Sequence, residues 1–206
     1  MSAETMTDTT IRGVTIHPGW VRVCHWINAI AILVMIGSGW QIFNAAPLFD
    51  FSFPRGIALG NWLGGALLWH FAAMWVLVIN GLVYVTLGIA TGRFRRKLWP
   101  IRPSEIIADV KAALTFKLSH DDLSHYNAVQ KVLYVGIILV AIVIVTSGLG
   151  IWKPVQFQEF TAFYGGYDTA RWVHFIAMSA IVLFLVVHVS LALIVPKSLR
   201  AMVTGR

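Results

Sequence analysis

The chain has 206 residues, of which 58% are apolar and only 12% are charged, about half the charged share of a soluble domain. Its net charge of +7 comes from basic residues at the ends of apolar runs, which argues against a nucleic-acid-binding surface. The single cysteine, Cys24, excludes an internal disulfide, a Cys-x-x-Cys-His attachment site for covalent haem and an iron–sulfur cluster ligated by this chain alone.

The first element is a polar segment, residues 1–20, that contains Glu4, Asp8 and several threonines. A cleaved signal peptide has a basic start and a shorter apolar run than the run that follows this segment. We therefore expect the N-terminus to be retained.

Four apolar runs follow, bounded by tryptophan, tyrosine and basic residues, and each approaches or exceeds the roughly 20 residues that cross a bilayer as a helix. They cover residues 24–43, 62–90, 132–152 and 172–195. The lipid bilayer is therefore the expected solvent of the chain. The pattern predicts an all-α fold, an integral membrane four-helix bundle that forms one domain over residues 1–206.

The loop between the second and third runs, residues 91–131, is rich in arginine and lysine, whereas the two loops on the opposite side hold only Arg55, Lys153 and Arg171. By the positive-inside rule, this loop and both termini are cytoplasmic, and the membrane is the bacterial inner membrane. Within the loop, Pro103-Ser104-Glu105 and the apolar positions of residues 106–114 predict a short amphipathic helix. It lies at the cytoplasmic membrane face or packs on the ends of the bundle.

Four of the seven histidines lie within or at the edge of the apolar runs: His25, His70, His174 and His188. An ionisable side chain at membrane depth is costly and indicates a functional site, although a single buried histidine can simply bond to a neighbouring helix. The predicted topology puts His25 and His188 at the cytoplasmic level. It puts His70 and His174 at the outer level, so the four form two pairs.

His174 and His188 are fourteen residues apart, so both project from one face of the last helix, roughly 21 Å apart along its axis. Imidazoles from facing helices on both sides of a flat iron macrocycle give bis-histidine ligation, which favours electron transfer over oxygen binding. The pattern predicts two haem b groups. His25 and His188 hold the iron of the inner haem, and His70 and His174 hold the iron of the outer one.

Several other residues have two explanations each. Arg22 and Arg171, each three residues before a predicted ligand, can pair with haem propionates or mark the membrane boundary by snorkelling. His17, His120 and His125 lie in loops; His17 precedes a proline at the entry to the first span, and His120 and His125 are interpreted as surface residues. Glycine pairs in three runs allow close approach of a macrocycle or ordinary helix packing. These glycines are Gly37, Gly39, Gly64, Gly65, Gly148 and Gly150.

Residues 22–26 read Arg-x-x-His-Trp. With His70 and the fourteen-residue spacing from His174 to His188, the chain resembles the bacterial di-haem cytochrome b family over residues 18–195. That family includes the cytochrome b subunits of nickel–iron hydrogenases, formate dehydrogenases and thiosulfate reductases. The resemblance implies the same ligand pairs, His25 with His188 and His70 with His174.

The segment Tyr-Asn-Ala-Val-Gln-Lys at residues 126–131 looks like the Asn-Ala-x-Gln-Lys segment of formate dehydrogenase cytochrome b subunits. In those subunits a quinone site lies beside the inner haem. The matching positions here are Asn127 and Gln130, whose amides suit a quinone carbonyl. Helix capping by Asn127 is the alternative.

The sequence thus predicts a respiratory electron-transfer subunit rather than an enzyme on its own. It would carry electrons between the quinone pool and a periplasmic redox enzyme of the molybdenum or nickel–iron type, by analogy with the family. Two alternatives stay open. One is a standalone haem oxidoreductase, such as a superoxide:quinone oxidoreductase, and the other is a haem-free ion transporter that uses the histidines. The four runs contain no Asp or Glu, which argues against the transporter.

Overall fold

A computed structural model describes residues 17–98 and 128–205. The described elements are all helices, connected by turns and irregular loops. The predicted amphipathic helix near Pro103, as well as Asn127, His120 and His125, lies outside the described residues. The helices are α1 (Gly19–Ala45), α2 (Leu63–Ala90), α3 (Arg93–Leu98), α4 (Ala128–Trp152), α5 (Gln158–Phe163), α6 (Tyr167–Ile194) and α7 (Pro196–Thr204).

Four of these helices, α1, α2, α4 and α6, are long and apolar enough to cross a membrane. The predicted all-α fold with four spans is therefore confirmed. Their outward faces carry exposed apolar side chains, such as Leu68 with 73% of its surface exposed, which suit a lipid solvent and not water. The end of the bundle that carries residues 46–62 and 153–166 is called the loop end below, and the opposite end is called the terminal end.

Three long helices begin earlier than the apolar runs predict. α1 begins at Gly19 and α6 at Tyr167, each five residues before the predicted span, and α4 begins at Ala128, four residues before it. Each of these first turns contains polar or charged residues, so hydrophobicity does not mark it. In α6 the carboxylate of Asp168 lies in the first turn, where it interacts favourably with the helix dipole.

The long helices pack as two pairs, α1 with α2 and α4 with α6. In the first pair the buried Asn80 donates from Nδ2 to the Cys24 carbonyl at 2.8 Å and to Asn28 Oδ1 at 2.7 Å. An interhelical hydrogen bond of this kind contributes roughly 0.6–2 kcal/mol in a membrane. Asn80 therefore fixes the register between α1 and α2.

The two pairs meet through side chains near their ends. At the loop end, Phe43 of α1 packs on Phe175 of α6 with ring centroids 5.1 Å apart, and Phe49 stacks on Trp172 at 5.8 Å. At the terminal end, the rings of His25 and His188 approach each other. The space between the pairs is thus bounded at one level by aromatic rings and at the other by imidazoles.

The first loop folds back over the loop end. The Asn44 side chain makes two bonds to Phe53, donating to its carbonyl at 2.9 Å and accepting from its N–H at 2.8 Å. Further along, the Leu59 N–H donates to the Gly37 carbonyl at 2.9 Å. The loop therefore sits as an ordered cap on α1.

The short helix α7 lies at the terminal end and was not expected from the sequence. Pro196 occupies its first turn, and Gly205 ends it with a left-handed φ of 88°. These two residues are a recognised start and stop signal, but hydrophobicity gives no sign of so short a helix. Arg22 Nη1 donates to the Val203 carbonyl at 2.6 Å, which ties α7 to the start of α1.

Candidate cofactor site

The loop-end pair of histidines comes from equivalent places in two helices. His70 is the eighth residue of α2, and His174 is the eighth residue of α6. Both side chains are partly buried. One imidazole therefore comes from each helix pair.

The hydrogen bonds of His174 define which ring nitrogen is free. Its Nδ1 lies 3.0 Å from the Ile144 carbonyl and 3.1 Å from Ser147 Oγ, both on α4. A carbonyl oxygen can only accept, so Nδ1 carries the proton and donates. The lone pair is then on Nε2, the nitrogen that remains available to a metal.

His70 meets a serine in the same way in the other helix pair. Its Nδ1 lies 3.0 Å from Ser38 Oγ on α1. Ser38 and Ser147 are both fully buried, with 0% of their surface exposed. Each pair of helices thus supplies one imidazole whose Nδ1 meets a buried serine, and in the α4–α6 pair the Ile144 carbonyl is a second acceptor.

Neither serine stands out in the sequence as a candidate site residue. The signal that could have found them is a recurring Ser-Gly pair, Ser38-Gly39 in the first span and Ser147-Gly148 in the third. The glycine in each pair lets the histidine ring lie close to the helix. A Cβ on Gly39 would lie 3.6 Å from His70 Cε1, and one on Gly148 would lie 3.0 Å from His174 Cε1.

These distances predict different effects of alanine at the two glycines. Gly148→Ala forces the His174 ring to shift and is expected to destabilise the protein by about 1–3 kcal/mol, the usual cost of overpacking. Gly39→Ala makes an ordinary contact and is expected to stay within about 1 kcal/mol of wild type. Unfolding by a denaturing detergent measures both. Equal destabilisation of the two variants would contradict the close approach at His174.

The terminal-end pair has the spacing of two ligands on one metal ion. The ring centroids of His25 and His188 are 6.0 Å apart, with the planes inclined by 59°. Metal–imidazole bonds of about 2 Å put the two nitrogens about 4 Å apart and the centroids about 6 Å apart. Phe184 stacks on His188 at 5.5 Å, and Trp26 meets His25 edge-on at 5.4 Å. These aromatic rings restrict how far the imidazoles can turn.

Both predicted propionate partners donate to a backbone carbonyl near a helix C-terminus, where a cation is favourable. Arg171 Nη2 donates to the carbonyl of Ala46, the residue that caps α1. Arg22 Nη1 donates to Val203, and its buried Nε has no hydrogen-bond partner among the described residues. A buried N–H of a guanidinium without a partner is costly, so Arg22 suits an anionic group such as a haem propionate.

The remaining predicted residues are only partly described. Gln130 lies in the first turn of α4, and its side chain is outside the description. His17, placed by the sequence at the entry to the first span, has its Nδ1 3.4 Å from Arg93 Nη2. Within residues 17–98 and 128–205, no three His, Cys, Asp or Glu side chains converge on a point where a bare metal ion could bind.

The fold and the paired imidazoles define a class, the membrane cytochromes of the b type. The family model described as prokaryotic cytochrome b561 matches residues 16–205, and the chain belongs to that family. It is therefore a multi-pass membrane protein of electron transfer, and the family implies b-type haem. The free Nε2 atoms at the loop end and the 6.0 Å spacing at the terminal end fit that cofactor.

Two curated relatives are similar over most of the chain. The putative protein-methionine-sulfoxide reductase subunit YedZ1 of Azospira oryzae is 52% identical over 190 residues, covering 92% of this chain and 96% of the relative. The probable Ni/Fe-hydrogenase B-type cytochrome subunit of Bradyrhizobium diazoefficiens is 26% identical over 194 residues, covering 85% and 76%. No solved structure matches the chain. Both relatives carry the word subunit in their names, which supports a redox partner for this chain.

Proposed function

We propose that this chain is the di-haem membrane subunit of a system that reduces methionine sulfoxide in proteins. It takes electrons from quinol at the terminal end and delivers them to a reductase at the loop end. The observation that carries this proposal is the separation of the histidines into two pairs at opposite ends of α6. Haem supplies one-electron exchange between ferric and ferrous iron at each level.

The ligand assignment follows the pairs. His25 and His188 hold one haem at the terminal end, and His70 and His174 hold the other at the loop end. The 6.0 Å spacing of the first pair supports one metal ion between its rings. The bonds at Nδ1 of the second pair support ligation through Nε2. The fourteen residues between His174 and His188 set the two levels roughly 21 Å apart along α6.

The distribution of basic residues supports an orientation in the membrane. At the terminal end, α3 carries Arg93 and Arg95, and α7 carries Lys197 and Arg200. The loop end is poorer in arginine and lysine along the whole sequence. The positive-inside rule then puts the terminal end in the cytoplasm and the loop end in the periplasm, with the bacterial inner membrane between them.

The quinone site belongs at the terminal end in this proposal. α4 begins there at Ala128, Gln130 lies in its first turn, and Asn127 directly precedes the helix in the sequence. Their amides can donate to or accept from the oxygens of a quinone or quinol at the membrane interface. His25 and His188 lie at the same end, so a quinol bound there is near the first haem.

The partner is proposed from the relative that is 52% identical, whose name assigns it to a protein-methionine-sulfoxide reductase. Reduction of a sulfoxide to a thioether takes two electrons and two protons and releases water. Oxidation of one quinol to quinone supplies two electrons and two protons, so the reaction balances. We therefore propose outward electron flow to a periplasmic methionine sulfoxide reductase, in preference to a nickel–iron hydrogenase.

Purified protein in liposomes, supplied with a short-chain quinol, tests this function. We expect the quinol to reduce both haems, and we expect the reductase with a methionine sulfoxide peptide to reoxidise them. Rapid reduction of the haems by superoxide, with no need for a reductase, would favour the standalone oxidoreductase. Well-folded protein that binds no haem would overturn the proposal and favour the ion transporter.

A further inference from the structure

We propose that Ser38 and Ser147 are positioning residues that hold the two loop-end histidines in one tautomer and lower the reduction potential of the haem between them. The inference rests on the proposed function, because it requires His70 and His174 to bind haem iron. Neither serine touches the iron in this arrangement. Each acts through the Nδ1 atom of a ligand.

The first step concerns the direction of these hydrogen bonds. Ser38 Oγ donates its proton within its own helix, to the Val34 carbonyl at 2.7 Å, and Ser147 Oγ donates to the Val143 carbonyl at 2.7 Å. A hydroxyl has one proton, so its lone pairs are what it offers to histidine. Each serine therefore accepts from the Nδ1–H of its imidazole.

The second step concerns what such an acceptor does to the ligand. A group that accepts a hydrogen bond from Nδ1–H raises the basicity of the imidazole and fixes its tautomer and orientation. A more basic ligand donates more electron density to iron and stabilises the ferric state over the ferrous state. The reduction potential of the loop-end haem is therefore lower than it would be without the serines.

The third step compares how each helix pair holds its loop-end histidine. In each helix pair a fully buried serine lies at hydrogen-bond distance from Nδ1, at 3.0 Å for Ser38 and His70 and at 3.1 Å for Ser147 and His174. The Ile144 carbonyl is a second acceptor for His174. The two serines lie in separate helix pairs and should therefore contribute independently, with Ser38 contributing at least as much as Ser147. The terminal-end pair differs, because neither of its histidines makes a hydrogen bond to another side chain or carbonyl among the described residues. That haem serves as an internal reference in the same molecule.

The test uses Ser38→Ala, Ser147→Ala and the double variant, with Ser179→Ala as the matched control. Ser179 lies on α6 and donates to the Phe175 carbonyl at 2.9 Å, the same bond within a helix, but its exposed side chain meets no histidine. Redox titration followed by absorption gives the potential of each haem. The electron paramagnetic resonance signals of the ferric haems report the orientation of the imidazole planes.

We expect each single variant to raise the potential of the loop-end haem, Ser38→Ala at least as much as Ser147→Ala, and the double variant to raise it by about the sum. The ferric resonance of the loop-end haem is also expected to shift. The potential of the terminal-end haem, and both potentials in the Ser179→Ala protein, are expected to stay at wild-type values. An unchanged loop-end potential in the double variant would overturn the inference, as would an equal shift of both haems. Failure of the proposed function is seen separately, as wild-type protein that lacks a second haem or is not reduced by quinol.

Discussion

Wild-type protein is expected to contain two b haems per chain, and His70→Ala and His188→Ala are each expected to contain one. The reason is that each substitution would remove one of the two proposed iron ligands at one level and leave the other level intact. A pyridine haemochrome assay on purified protein gives the stoichiometry. The reduced-minus-oxidised spectrum and a redox titration show which haem has gone.

His17→Ala is the matched control for these variants. His17 also lies at the terminal end, but its Nδ1 faces Arg93 rather than another histidine. We expect this variant to keep both haems. A loss of the same haem from His70→Ala and His188→Ala would show that the two histidines serve one site, and the assignment of two levels would then be wrong.

The second large effect is expected on electron transfer across the membrane. In His70→Ala liposomes, quinol is expected to reduce the terminal-end haem as in wild type, whereas reduction of the periplasmic reductase falls to the background rate. The pairs are roughly 21 Å apart along α6, a distance that one remaining haem does not bridge. In His188→Ala liposomes, quinol is expected to reduce neither the remaining haem nor the reductase.

Stopped-flow absorption measures the first step, and consumption of a methionine sulfoxide peptide measures the second. His17→Ala protein should perform both steps at wild-type rates. If His70→Ala protein still supported the reductase, electrons would leave from the terminal-end haem, and the outward relay through the loop end would have to be abandoned.

Much of the fold could be predicted because a bilayer imposes a simple rule. Every backbone group must be paired within the hydrocarbon, so long apolar runs become helices, and the four runs correspond to α1, α2, α4 and α6. The helix starts at Gly19 and Tyr167 could not be found in this way, because their first turns lie outside the apolar runs. Hydropathy does not reveal α7 either, because the helix is short.

Part of the candidate site could also be predicted from the sequence, and part could not. The depth of each histidine in its span predicts the pairs, and the structure puts the His25 ring 6.0 Å from the His188 ring. Haem ligation by the pairs stays a prediction. Apart from the recurring Ser-Gly pair, nothing in the sequence marks Ser38 and Ser147, because a serine inside a membrane helix ordinarily bonds to its own backbone. Only the packing of α1 on α2 and of α4 on α6 shows that these serines also meet a histidine.

The bond from Arg22 to Val203 has a consequence for the topology of the chain. It brings Gly205 against the start of α1, where a Cβ at Gly205 would lie 3.4 Å from the His17 carbonyl oxygen. The two ends of the described chain are therefore neighbours. A circular permutant that joins Gly205 to His17 by a few residues and opens between α3 and α4 would keep all seven helices and both histidine pairs. The arrangement of the helices in the bundle would then not depend on the order in which the spans follow one another in the sequence.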